Sequence, residues 1–177
     1  MGLNFKERAA ENFRHSCESM DSAFAAMLAE HSATGNLRSG ATIKKALAIF
    51  EEESRKALAQ SLDEMAKHIE HRGGAWKQAV SAIGNALDDH LAGSQRILKK
   101  PLSMTGANRD NAQAQAVEGR LTEIAGRLRA QLNEFSNGWT APRAKPWKER
   151  HPNFDRIIFL GIGAIIAAGV ALIERAI

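Results

Sequence analysis

Six histidines and a single cysteine carry most of the reactive side chains in this 177-residue chain. Their spacing decides whether they can act together. Glu64, His68 and His71, in the stretch DEMAKHIEH, fall within one to two turns of a helix. Histidines three apart share a helix face and can share a metal ion. This spacing is neither the HExxH of a zinc hydrolase nor the ExxH of a carboxylate-bridged centre, so no metal site is predicted. His90 follows Asp88 and Asp89 and, like His68 and His71, is expected as a solvated side chain near a helix end. Cys17 stands alone, which excludes an internal disulfide framework and fits a reducing compartment. No nucleophile and base occur at motif spacing, CxxC is absent, and the only GxG, Gly161-x-Gly163, lies in an apolar run where it cannot cradle phosphate in water. The sequence therefore predicts a non-enzymatic chain without a cofactor.

The elements that hold these residues are helical. Of the apolar residues 31 are alanine, while there are three valines and no tyrosine, so helix formers dominate and strand formers are scarce. The expected fold class is all-α: an elongated helical bundle or coiled-coil head (1–139) of about four amphipathic helices, plus one C-terminal transmembrane helix. The head helices are read over about 3–31, 43–72, 76–100 and 111–137. Alanine buries little area, and large side chains supply most of the burial energy at roughly 1.5–3 kcal/mol each. Thin helices with small-residue seams, completed by a partner chain, are the expected packing.

In the first helix Leu3, Ala10, Phe13, Cys17, Met20, Phe24, Met27 and His31 alternate spacings of three and four, with Lys6 the one misfit. That heptad-like seam fits a helix packed in a bundle or, as the alternative, an intermolecular coiled coil, in which Phe13, Met20, Phe24 and Met27 would be the partner seam, since methionine-rich faces repack readily. Thr42 is the expected N-cap of the second helix, in which Ser54 is a polar residue on the apolar seam. Gly73-Gly74 is the expected stop of that helix, and Lys99-Lys100-Pro101 that of the third. Gly119 and Gly126 each cost up to about 1 kcal/mol in the fourth helix, a cost that close packing would offset.

The text changes at Thr140. Residues 140–156 hold Arg143, Lys145, Lys148, Arg150 and Arg156 against Glu149 and Asp155, with Trp147 and three prolines among them. Proline forbids a continuous helix, and basic and aromatic residues suit a lipid headgroup layer. This segment is read as a juxtamembrane linker. Residues 157–173, IIFLGIGAIIAAGVALI, carry no polar side chain. As a helix they reach about 26 Å, slightly short of a hydrocarbon core of about 30 Å, so Arg156 and Arg175 must snorkel. The basic linker puts the head on the cytoplasmic side, most simply at a bacterial inner membrane. Gly163, Ala167 and Ala171 lie four apart and form a small-residue stripe on which two such helices can approach.

Two resemblances accompany this reading. Trp76-x3-Val80-x2-Ile83-Gly84-Asn85-x-Leu87-Asp88 resembles a BH3 segment of Bcl-2-type regulators, with Asn85 where that family usually has Asp; it implies an amphipathic helix offered to a grooved receptor. In architecture alone, a polar helical head before a late apolar span is similar to accessory proteins of plasmid mobilisation, which implies tethering. The overall charge of +4 is concentrated in the linker, leaving a head of interspersed signs without the basic stripe of a nucleic-acid binder. The function expected is a membrane-anchored adaptor or scaffold that recruits a protein partner or self-associates, with membrane lipid as its other contact. The alternative is a membrane-perturbing effector, toxin or holin-like, whose apolar helix oligomerises.

Overall fold

Asn4 starts the first helix, α1 (Phe5–Ala33), its side chain accepting from Glu7 N while Glu7 itself sits in the first turn. Both satisfy a helix N-terminus. The exit is equally well defined: Gly35, at φ +72°, donates to Ser32 O, and Asn36 donates to His31 O at 2.8 Å. This paired closure with a left-handed glycine is a Schellman motif. The computed structural model describes residues 4–105 and 111–140. The chain divides into two units, Met1–Ala141 and Pro142–Ile177, and all described residues belong to the first.

Helix α2 (Gly40–His68) is capped by Ser39, whose hydroxyl accepts from Thr42 N. The cap is thus three residues earlier than Thr42, which is instead fully buried. The Thr42 hydroxyl donates to Asn36 O at 2.8 Å and sits 2.6 Å from His31 Nδ1, stitching the α1–α2 turn together. At the other end the helix stops at His68, before Gly73-Gly74, because Ile69 turns to extended backbone and buries its side chain.

The helix expected over 76–100 is two: α3 (Gly74–Ala92) and α4 (Ser94–Thr105). Gly93 is the joint. Its N–H is shared between Asp89 O and His90 O, and its own carbonyl begins the next helix by accepting from Arg96 N and Ile97 N. Pro101, read as a stop, lies inside α4. Its missing N–H and ring clash cost roughly 3 kcal/mol in a helix interior, and the buried position of the ring provides the offsetting contact. The last helix, α5 (Asn111–Gly138), seats Val117, Ile124, Leu128 and Leu132. Gly119 and Gly126 face open space, with no atom within 4 Å of an added Cβ. Close packing does not explain them.

The described helices form a bundle with α2 at its centre, packed on each of the other four. Helix α1 runs antiparallel to α2, in a register marked by Arg8 with Glu64, Asn12 with Ser61, and His31 with Thr42. Helix α5 runs antiparallel to α3, from Trp76 beside Trp139 to Asp88 beside Arg129, and parallel to α2. A continuous core joins all five helices. Of its large side chains Phe50, Met20, Leu58, Met65, Ile83, Leu87 and Leu98 are essentially inaccessible. Alanines and serines (Ala9, Ala46, Ala57, Ser54, Ser61) fill the narrow places, and the serines satisfy their hydroxyls on carbonyls one turn back.

No helix among the described residues is long and apolar enough to cross a membrane. The segment 157–173 with Gly163, Ala167 and Ala171, and the linker residues Arg143, Lys145, Trp147, Lys148, Arg150 and Arg156, lie outside the described residues.

Candidate functional site

The reactive residues meet where the sequence did not place them. His90 is buried, not solvated. Its ring stacks on Phe50 at 5.4 Å and lies 4.9 Å from Phe13. Nε2 is 2.8 Å from Ser54 Oγ and Nδ1 is 3.8 Å from Cys17 Sγ. Ser54 uses its one hydroxyl proton on Phe50 O at 2.6 Å, so its oxygen must accept from His90 Nε2–H. That assigns the tautomer: Nδ1 presents a lone pair toward the Cys17 thiol. Residues from three helices thus make the thiol–imidazole–hydroxyl set that motif spacing alone could not show.

The electrostatics run against nucleophilic catalysis. An activated pair needs a thiolate beside an imidazolium. Here burial pushes the Cys17 thiol up, and Asp21 adds to that more than Arg96 relieves it. Burial also pulls His90 down to about 4. Both groups are held neutral, as buried titratable groups are when no charge partner stands by. The chain Cys17–His90–Ser54–Phe50 O reads as a satisfied polar thread through an aromatic layer.

The Glu64, His68 and His71 group does not converge. Glu64 faces Arg8 on α1, His68 Nδ1 is turned back onto Glu64 O at 2.8 Å, and His71 lies beyond the helix end against Gly73. Among the described residues no three His, Cys, Asp or Glu side chains are grouped to hold a metal.

The expected partner stripe is occupied internally. Phe13, Met20, Phe24 and Met27 are all buried in this chain's own core, because α2 and α3 cover the seam that a partner chain was expected to cover. The BH3-like face meets the same end: Trp76, Ile83 and Leu87 are buried, Trp76 stacking on Trp139 at 4.1 Å. That helix is a structural strut with no apolar face left to offer. Among the described residues Met104 is the one large apolar side chain classed as exposed.

The open features that remain among the described residues are grooves. Between α2 and α5, along residues 40–51 and 113–127, lies a cleft of about 560 Å³. Its floor is Ile43, Leu47, Val117 and Ile124, and its walls are thinned by the small exposed residues Gly40, Ala48 and Ala116. At its closed end Arg127 grips Glu51 through two hydrogen bonds of 2.7 and 2.8 Å, a forked pair. Those bonds hold the Glu51 carboxyl below the usual carboxylate range. Arg120 leans on Glu123 at 2.6 Å. Lys44 has no ion-pair partner among the described residues. A second groove, between α4 and α5, is lined by Arg96, Lys99, Leu102 and Val117. The amino-terminal half of α5 is thus flanked by clefts on both sides, whereas its other half is fixed by Leu128, Leu132 and Phe135. No periodicity argument could find this cleft, because it lies between two helices distant in sequence. Comparison with protein families, with curated proteins and with solved structures gives no match for this chain.

Proposed function

We propose that this chain is a non-enzymatic adaptor: a helical docking domain that receives a protein partner in the cleft between α2 and α5, held at a membrane by the apolar segment 157–173. The cleft carries the reading. It is apolar, open to solvent and bounded by charged side chains that fix orientation, which is the anatomy of a helix- or peptide-receiving groove. The remaining apolar side chains are committed to the core, and the one thiol–imidazole pair is held in its neutral, unreactive form. Both points favour docking over chemistry.

Tethering supplies the energetic reason for such an arrangement. Confining the domain and its partner to one surface raises their effective concentration and adds apparent affinity without new contacts. Five basic residues before the segment favour a cytoplasmic head. Deleting residues 157–177 should move the chain from the membrane fraction to the soluble fraction while leaving its helical circular dichroism intact. A deleted chain that still sediments with membranes sinks the tether.

A further inference from the structure

We infer that the partner received in the α2–α5 cleft is an amphipathic helix with acidic residues at the end that lies over the start of α2; this rests on the docking role proposed above. The charge around the cleft is lopsided. From Glu30 to Glu51 the chain has no acidic side chain, but it has Arg38, Lys44 and Lys45. Helix α2 has no acidic residue in its first turn, so that turn does not offset the helix's positive end, which forms the mouth of the cleft at Gly40. Across the lining, Lys44, Arg120 and Arg127 face the single carboxylate Glu51, which is already gripped by Arg127. Glu123 engages Arg120 and stands near Arg127. Lys44, toward the mouth, has no ion-pair partner among the described residues.

The shape selects a helix. The floor keeps helical spacing, Ile43 and Leu47 four apart on α2 and Val117 and Ile124 seven apart on α5, and the lined length of α5 corresponds to about 20 Å, or four turns. Other occupants fit less well. A second copy docking through the same cleft would present the same lining from both sides, three cations to one carboxylate on each, so like charge excess would meet like. A bilayer needs protruding apolar side chains, whereas Leu47, Val117 and Ile124 are recessed.

The test uses the full chain in non-ionic detergent micelles, so that it does not depend on residues 157–173 crossing a bilayer. The probes are two labelled synthetic helices of about 18 residues, identical on a leucine face and differing only in Glu or Lys at one end. The Glu-ended helix should bind at least about tenfold tighter than its Lys-ended twin, with the preference shrinking at high salt. Ala116→Arg, which fills the cleft from an exposed position, should abolish binding of both. Lys44→Glu should narrow or reverse the preference. Equal binding of the twins, with loss on Ala116→Arg, overturns the acidic-partner inference and leaves the docking role standing. Binding unaffected by Ala116→Arg, or none by either helix, overturns the assigned site. Self-association that Ala116→Arg abolishes, or displacement of the bound helix by phosphatidylserine vesicles, overturns the assigned occupant. None of these outcomes bears on the membrane tether, which the deletion experiment tests separately.

Discussion

Ser54 Oγ and His90 Nε2, 36 residues apart in sequence and on neighbouring helices, lie 2.8 Å apart in the bundle core. Both are polar residues on largely apolar buried faces. Ser54 additionally donates to Phe50 O, so it needs nothing from His90, whereas the His90 N–H has no other acceptor nearby. The dependence is one-sided. Ser54→Ala should therefore destabilise the fold by about 1–3 kcal/mol, the cost of an orphaned buried donor. His90→Phe, which keeps a ring between Phe13 and Phe50 and orphans no strong donor, should cost less. Urea unfolding of both variants checks the order; a costlier His90→Phe would mean that the pairing direction is reversed.

The same histidine makes stability depend on pH. In the unfolded chain it takes a proton near 6.5, but in the fold only near 4. Between those values the unfolded state binds more protons, so stability falls as pH drops through that window and levels off below it. The full difference is roughly 3 kcal/mol. Unfolding curves at pH 7 and pH 4.5 should show most of that loss, and His90→Phe should flatten this part of the profile. An unchanged slope in that variant would assign the acid sensitivity to other groups.

Cys17 should be a sluggish thiol. Burial and Asp21 hold it protonated, and the thiolate is the reactive form. Alkylation by iodoacetamide at pH 8 should run several-fold slower in the folded chain than in urea. Asp21→Asn should speed it by removing a like charge. A folded rate equal to the unfolded one would contradict the neutral thiol–imidazole assignment.

The helical class was legible because alanine-rich, valine-poor text with three-and-four spacing leaves few alternatives, and the α1 seam through Phe13, Met20, Phe24 and Met27 faces inward along its length. What covers that seam was not legible: a period says that a face is apolar, not whether α2 or another chain lies on it. The break at Gly93 was obscured because Leu87, Leu91, Ser94 and Leu98 keep their phase across it. A signal for the burial of His90 was present, since Ile83, Leu87, His90 and Leu91 share one face, as Phe50, Ser54 and Leu58 do on α2. Two polar residues on two buried faces are a pair in waiting, but pairing them requires knowing that α3 lies against α2. The cleft between α2 and α5 has no sequence signature, because alanines at 48 and 116 read equally well as packed or exposed.

Gly119 and Gly126 offer a stabilisation that the native sequence leaves unused. Both are helical, and an added methyl meets nothing at either position, so Gly→Ala gains helix propensity of roughly 0.5–1 kcal/mol per site. The sites are about 10 Å apart on the helix, so the gains should add. Gly35→Ala should do the opposite, because its φ of +72° strains any residue with a Cβ by roughly 1–2 kcal/mol. Thermal melts of the three single variants and the double test the signs. If the Gly119/Gly126 double variant is more stable but binds the acidic helix less well, the α5 side of the cleft adjusts on docking.

Arg72 fastens the far end of the same helix. One of its guanidinium nitrogens donates to both Ser136 O and Asn137 O at 2.7 Å, two of the carbonyls that a helix C-terminus leaves unpaired. Its carbon also stands 6.0 Å from the centre of the Trp76 ring, and Trp76 in turn stacks on Trp139. Cap, cation and aromatic pair therefore act on one turn, the last before the chain continues to residue 141. Arg72→Ala should cost roughly 1 kcal/mol, the scale of a cap and dipole interaction at an exposed site, and its effect should be local. Hydrogen exchange of the Trp139 amide, which bonds Phe135 O at 2.9 Å, should accelerate while amides in the middle of α1 and α2 do not change. Arg72→Lys keeps the charge but replaces a nitrogen held in a planar guanidinium beside Trp76 with a flexible ammonium, so it should restore only part of the protection. Uniform acceleration across all helices in Arg72→Ala would show that this clamp belongs to the global fold and not to the end of α5.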